Sequence, residues 1–301
     1  MSRDFKNKKI IVILGPTASG KSELAVKLAK KFQGEVISAD SRQIYRGLDI
    51  GTGKITKKEM RGVPHHLLDV TDPKRVFTVT QYRNLALKAI DKIFSKNKVP
   101  ILCGGTAFYI KSVIEGTVIP QVKPNWKLRK RLEKKSALEL FRTLKKLDPR
   151  RAKNIDPANP RRLIRAIEIV LATKNPVPEF RQKPLPYPVL ILGTKKEKKE
   201  LSLLIKKRLL KRLKKGMLSE VRKIHRKGVS WKKLESFGLE YRWISRFLQK
   251  KIAYGEMLER LQKDIEHFAK RQMLWWKRDK KIRWIKNKKE AGKLAKNFLG
   301  K

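Results

Sequence analysis

Gly15-Pro16-Thr17-Ala18-Ser19-Gly20-Lys21-Ser22 fits the pattern G-x-x-x-x-G-K-[ST] and lies between an apolar run, Ile10 to Leu14, and a helical pattern that begins at Ser22. Glycines let such a loop curl until successive N–H groups face inward, and the N-terminus of the following helix adds partial positive charge, so the loop suits a di- or triphosphate. Lys21 is placed to meet the terminal phosphates, and the Ser22 hydroxyl to ligate Mg2+. The loop alone does not choose between ATP and another diphosphate.

NTPase chemistry asks for a second strand that ends in an acidic residue. Asp40 follows Val36-Ile37-Ser38 and Asp69 follows His66-Leu67-Leu68, so on spacing both fit, and a P-loop small-molecule kinase or a basic RNA-binding NTPase stays open. Asp40 itself reads as a magnesium ligand or a helix cap. Thr106 follows Gly104-Gly105 at a strand end, where its hydroxyl either reaches the phosphate region or caps the next helix. His65 and His66 point to opposite sides if extended, which argues against a shared metal and places one of them in the wall of the site.

The elements that must position these residues alternate in type. Ile10 to Leu14, Val36 to Ser38 and Val99 to Cys103 read as strands; Ser22 to Phe32, Thr78 to Phe94 and Thr106 to Ile114 read as helices. This alternation predicts a parallel α/β sheet. After Gly116 no strand pattern occurs: Asn125 to Leu147 reads as one helix, Pro149 and Pro157 interrupt, and Pro160 opens a helix through Leu171. A Pro-rich stretch, Pro176 to Pro188, leads to Val189-Leu190-Ile191-Leu192, which returns the chain to the sheet; from Glu197 on the pattern is helical, with a short apolar stretch at Ile282 to Ile285. The expected fold is therefore α/β: a P-loop NTPase-like parallel sheet flanked by helices, with a helical insertion and a helical C-terminal region. The expected divisions are a core over 1–120, the insertion over 121–187, and a return to the sheet with basic helices over 188–301.

The charge points to a polyanion. Of 301 residues, 77 are Lys or Arg against 27 Asp or Glu, a net charge of +50, while 40% are hydrophobic, enough to build a core. The excess is uneven: +12 over 1–120, +13 over 121–194 and +25 over 195–301. The least basic segment holds the phosphate loop, and the later two look like surfaces that meet phosphate, nucleic acid before an anionic membrane. The N-terminus lacks a secretory apolar region, no stretch approaches 18 apolar residues, and the expected location is cytoplasmic. The single cysteine, Cys103, excludes a disulfide framework and a multi-cysteine zinc module.

Several motifs occur in one order: GPTASGKS at 15–22, ISADSRQIY at 37–45, DIGTGK at 49–54, HHLLD at 65–69, GGTAFY at 104–109, PRRLIRAIE at 160–168 and KRQMLW at 270–275. Together they resemble the tRNA dimethylallyltransferase family, also called tRNA isopentenyltransferases or IPP transferases, over about Lys9 to Arg278. The resemblance implies transfer of a dimethylallyl group from dimethylallyl diphosphate to N6 of the adenosine 3′-adjacent to the anticodon, with Mg2+ as cofactor. It is chemically coherent, because an exocyclic amine is a poor nucleophile that needs a neutralised leaving group and a base.

The resemblance makes Asp40 the general base, with Thr106 and Lys21 beside it in catalysis. It implies tRNA contacts at Asp40, Ser41, Arg42, Gln43 and Thr106, at Arg129, and at Arg161, Arg162, Leu163, Ile164 and Arg165. Further contacts are implied at Phe237 and Gly238, and at Lys270, Arg271 and Gln272. The partner is a tRNA anticodon stem-loop, bound by a monomer. Leu274 stands where relatives usually carry threonine and Lys277 where they carry arginine. Adjacent Trp275 and Trp276 cannot share one helix face, so one is expected in the core.

Overall fold

The computed structural model describes residues 8–116, 120, 122–178 and 183–300. In chain order they form β1 (Ile10–Leu14), α1 (Lys21–Phe32), β2 (Gly34–Ser38), α2 (Lys57–Met60), β3 (His65–His66), α3 (Val79–Phe94), β4 (Val99–Gly104) and α4 (Ala107–Ile114). Next come α5 (Trp126–Leu132), α6 (Ala137–Leu147), α7 (Pro149–Lys153) and α8 (Pro160–Thr173). The chain then continues through β5 (Val189–Thr194), α9 (Lys198–Lys214), α10 (Met217–Arg226), α11 (Trp231–Phe237), α12 (Leu239–Leu248), α13 (Tyr254–Trp276), β6 (Ile282–Ile285) and α14 (Lys288–Leu299). The N-terminal residues 1–7 and residues 179–182 of the Pro-rich stretch lie outside the described residues.

Two compact units result: Met1–Glu115 with Pro184–Lys301, and Gly116–Lys183. The first contains a six-stranded sheet in the order β3-β2-β4-β1-β5-β6, and every pairing is parallel. β1 is central, so its five residues are apolar and buried on both faces. Ile10, Val12 and Leu14 enter a core with Tyr82 and Ile90 of α3, while Ile11 and Ile13 enter another with Leu24, Leu28 and Phe32 of α1. Burying that apolar surface on both sides makes β1 the rigid support of the loop that follows it. β1 is followed by β2 on one side, and β5 lies on its other side, so the chain changes direction beside β1. In open α/β sheets ligands bind at such a point, outside the carboxyl ends of the strands.

The second unit has its own core. Leu132 of α5, Leu140 and Leu144 of α6, Ala152 of α7, and Leu163, Ile164 and Ile167 of α8 pack together. The single helix expected over Asn125 to Leu147 is two helices, α5 and α6. Ser136 starts the second with a capping box, its hydroxyl accepting from Glu139 N while the Glu139 carboxylate accepts from Ser136 N at 2.8 Å. Pro149 opens a helix rather than interrupting one, with Asp148 as its cap.

Two further expectations change at the sheet edges. Ile282 to Ile285 is strand β6, paired with β5. The strand read as running into Asp69 is only His65–His66, because Leu67 and Asp69 have φ of 62° and 57°, which ends extended structure. His65 Nδ1 lies 2.8 Å from Val63 O, and His66 Nε2 lies 2.7 Å from the carboxylate of buried Glu35. Lys96 and Lys98, before β4, also bind Glu35 at 3.0 and 2.9 Å, at the sheet edge opposite the carboxyl ends. Burial alone would raise the Glu35 carboxyl, but the bonds from His66, Lys98 and Lys96 outweigh it and hold it down to about 2.

Candidate active site

Gly15 to Gly20 links β1 to α1 as a tight loop, with positive φ at Gly15, Ala18 and Gly20. A Cβ on Gly15 would stand 2.3 Å from Thr194 Oγ1 at the end of β5, so only glycine fits there. Ser19 Oγ donates to Pro16 O at 2.8 Å and lies 2.6 Å from Thr194 Oγ1, which ties the loop to β5. The Lys21 ammonium donates to Pro16 O inside the loop. Burial, offset only partly by its neighbours, pulls the Lys21 pKa down to about 8. Ser22 is exposed in the first turn of α1.

Asp40 follows β2, with β4 between β2 and β1. Its Oδ1 accepts from Arg42 N at 2.8 Å and Gln43 N at 3.4 Å, which fixes the carboxylate at the start of a turn. Gly104 permits this arrangement: a Cβ there would lie 2.1 Å from Ala39 O. Thr106 starts α4, yet its hydroxyl does not cap the helix. It accepts from Ser41 N at 3.0 Å, and Thr106 N donates to Ala39 O at 3.1 Å, so β4's end is laced to Asp40's turn. Beneath the site, burial pushes the Cys103 thiol up to about 12 and leaves it unreactive. The other acidic candidate, Asp69, is engaged by Lys54 Nζ at 2.5 Å.

Three later helices close the site. Arg42 Nε donates to Phe237 O at 2.8 Å, and its guanidinium lies 5.6 Å from the Phe237 ring centroid, so Arg42, Phe237 and Gly238 come together at the junction of α11 and α12. Gln272 of α13 is not on the surface where an RNA contact was expected. It is 6% exposed; its Oε1 accepts from Thr17 N at 2.8 Å and its Nε2 donates to Gly105 O at 2.9 Å, so it braces the phosphate loop against the β4–α4 turn. Lys270 and Arg271 on the same helix are exposed. Trp276 is 1% exposed and Trp275 47%, the expected division between core and surface.

Sequence reading missed Arg208 and Arg212 of α9. Arg208 Nη1 donates to Thr17 Oγ1 at 3.2 Å, and a cavity of about 820 Å3 runs from the phosphate loop past Lys21 and Arg208 to Lys27, Lys30, Lys207 and Lys211. Burial, then the charge of Arg212, lower the Arg208 pKa to about 10, so it stays cationic at neutral pH. The available signal was residue type: these are the arginines of a helix whose other cations are lysine, spaced by one turn, and arginine is the better buried phosphate ligand.

The remaining expected contacts belong to the insertion unit. Arg161 and Arg162 are exposed at the start of α8. Leu163 and Ile164 are 0% and 6% exposed; they face the unit's core because α8 is amphipathic, which corrects their expected place at an RNA surface. Arg129 is held on buried Glu168 by two bonds of 2.8 and 2.6 Å, which tie α5 to α8; Arg165, on α8 itself, bonds Glu168 at 2.5 Å and the Val122 carbonyl at 3.0 Å.

A parallel sheet with a phosphate loop on its central strand, an oriented carboxylate beyond a neighbouring strand, and a helical insertion before β5 defines a P-loop α/β protein built to work on a phosphorylated substrate. The IPP transferase family profile matches residues 43–279. The chain is 38% identical over 292 residues to tRNA dimethylallyltransferase of Pelotomaculum thermopropionicum, covering 95% of this chain and 93% of that one. It is 41% identical over 281 residues to tRNA dimethylallyltransferase 2 of Trichlorobacter lovleyi, covering 92% and 91%. Its structure is similar to the tRNA isopentenylpyrophosphate transferase of Bacillus halodurans, with a TM-score of 0.73, 32% identity, and coverage of 98% and 97%. A eukaryotic dimethylallyltransferase acting on tRNA gives a TM-score of 0.76 at 28% identity, covering 89% of this chain and 70% of that one. The chain belongs to the IPP transferase family. Among the described residues no helix is long and apolar enough to cross a membrane.

Proposed function

We propose that this chain transfers a dimethylallyl group from dimethylallyl diphosphate to N6 of the adenosine 3′-adjacent to the anticodon, in tRNAs reading codons that begin with U. The products are N6-isopentenyladenosine and diphosphate. The observation that carries this reading is the pairing of a phosphate cradle at the end of β1 with an oriented carboxylate, Asp40, beyond β2. A phosphoryl-transfer enzyme would use the same pair; the family match over residues 43–279 favours alkylation of a weakly nucleophilic amine, with Asp40 as its base.

In this reading the loop N–H groups, Lys21 and Arg208 receive the diphosphate. The C–O bond to the allylic carbon breaks, the C–N6 bond forms, and the N6 proton passes to the Asp40 carboxylate. The electron pair of the broken bond leaves on the diphosphate, whose charge Lys21 and Arg208 neutralise. Thr106 keeps Asp40's turn in place through Ser41 N. The adenosine must leave its stack, which is cheap in a single-stranded loop.

Mg2+ suits this donor set. Among the described residues no cluster of three or more His, Cys, Asp or Glu side chains forms a protein cage, and an exposed Ser22 hydroxyl beside the loop matches an ion held mainly by substrate phosphates and water. When bound there, Mg2+ would add charge neutralisation on the diphosphate. We assign RNA contact to Arg161 and Arg162 in the insertion and to Lys270 and Arg271 on α13, which phosphate contacts would use to set register. The division we read is a catalytic core over 1–120, a tRNA-contacting insertion over 121–187, and closing basic helices over 188–301. The test is to incubate the protein with anticodon stem-loop RNA, dimethylallyl diphosphate and Mg2+ and weigh the RNA. A gain of one dimethylallyl group is expected; no gain, with ATP turnover on a small acceptor, would overturn the reading.

A further inference from the structure

The segment Asp49-Ile50-Gly51-Thr52-Gly53-Lys54 stands out in the sequence, yet none of its side chains reaches the phosphate loop. Its backbone explains it. The carboxylate of Glu220, on α10, accepts from three consecutive main-chain N–H groups: Asp49 at 3.0 Å, Ile50 at 2.6 Å and Gly51 at 3.0 Å. Tyr241 OH is a fourth donor at 2.7 Å, so each carboxylate oxygen takes two bonds. With the N–H groups drawn to Glu220, carbonyls of the same segment receive the cations of α9. Gly51 O accepts from Arg212 Nη1 at 3.2 Å, and Gly53 O accepts from Arg208 Nη2 and from Gln43 Nε2, each at 3.4 Å. The other arm of Arg208 reaches Thr17 in the phosphate loop.

We propose that Glu220 is a positioning residue for the donor's diphosphate, acting through the Asp49–Gly53 backbone on Arg208. The inference rests on the reading of Arg208 as a diphosphate ligand. It deepens that reading by naming what aims the guanidinium. Arg208 is a long side chain in a basic cleft with Arg212 beside it, so repulsion favours its swinging away. Arg212 is held by Glu240 at 2.9 Å; Arg208 has Gly53 O and Thr17 Oγ1 as its partners, and Gly53 O is fixed only as well as its loop. A carboxylate is required at 220 because four donors converge on it. A glutamine would turn its NH2 toward two of them.

The experiment uses the full-length chain and measures binding of dimethylallyl diphosphate, binding of anticodon stem-loop RNA, and donor KM, for wild type, E220Q, R208A and the double variant. E220Q is expected to weaken donor binding and raise donor KM about tenfold, with RNA affinity unchanged within about twofold. R208A is expected to weaken donor binding further. In the R208A background E220Q is expected to add less than about twofold, because the residue it positions is gone. Multiplicative effects in the double variant, or a wild-type donor affinity in E220Q, overturn the positioning role while leaving the Arg208 reading intact. Unchanged donor binding in R208A overturns that reading and the relay together. Thermal melting checks that each variant folds; should E220Q not fold, E220D keeps the charge, shortens its reach, and carries the same expectations.

Discussion

Gln272 gives the sharpest separation between a residue that builds the site and one that meets RNA. Gln272→Met keeps length and apolar bulk but removes both hydrogen bonds, leaving the half-buried Thr17 N–H and Gly105 O without their partner. An orphaned group costs about 1–3 kcal/mol when fully buried, so with both groups half-buried the pair costs about 2–3 kcal/mol. For a protein of this size about 1 kcal/mol lowers the melting temperature by roughly 2 °C, which predicts a fall of about 4–6 °C. The assay is thermal unfolding followed by circular dichroism without ligand, alongside RNA binding by fluorescence anisotropy. Because both bonded groups lie on loops of the donor site, donor affinity should fall with stability while RNA affinity changes by less than about twofold. A variant that melts within a degree of wild type and loses RNA affinity would refute the brace and return Gln272 to the RNA surface.

The other predictions concern charge. Lys21 has a folded pKa of about 8 against an ordinary 10.5, so the unfolded chain binds more protons between those values and stability should rise with pH across that window. At pH 7 the penalty is fully present, so Lys21→Met should raise the melting temperature while abolishing transfer. Donor binding at pH 8.5 should also take up a proton, visible as buffer-dependent binding heats; heats that ignore the buffer contradict it. Glu35 has the opposite sign: its pKa falls from 4.5 to about 2, so it stabilises the fold above pH 4.5 by about 3 kcal/mol, lost as pH drops toward 2. Glu35→Gln should flatten acid unfolding across that window, and an unchanged profile would count against the network. Replacing Arg161 and Arg162 by alanine should weaken RNA binding and reduce its salt slope by up to about 2, with transfer at saturating RNA retained; an unaltered slope would leave α8 merely solvated.

The parts legible in the sequence are those where local pattern and burial agree. Ile10 to Leu14 followed by G-x-x-x-x-G-K-S named a central strand and its loop, because both faces of β1 are buried and every residue says so. The Asp40 and Thr106 turns were legible through the motifs around them, although what binds them together, Ser41 N on Thr106 Oγ1, joins residues far apart in the chain. Ile282 to Ile285 was too short for its period to count, and one of its four residues is the exposed Arg283. The break between α5 and α6 had a signal, Ser136 and Glu139 three apart, hidden under a helical pattern that continues through Glu133–Lys135. Arginines misled in both directions. Arg129 looked free until Glu168 met it from 39 residues away, whereas Arg208 disappeared among lysines although it alone of that stretch bonds the phosphate loop.

The proposed reaction turns on Asp40 acting as a base beside a phosphate cradle. The direct measurement is the mass of an anticodon stem-loop RNA after incubation with dimethylallyl diphosphate and Mg2+, using wild type and Asp40→Ala, with the RNA affinity of each measured alongside. One added dimethylallyl group is expected with wild type, none with Asp40→Ala, and RNA binding by the variant within about twofold of wild type. Transfer by Asp40→Ala at the wild-type rate, or loss of RNA binding in parallel with loss of transfer, would contradict it.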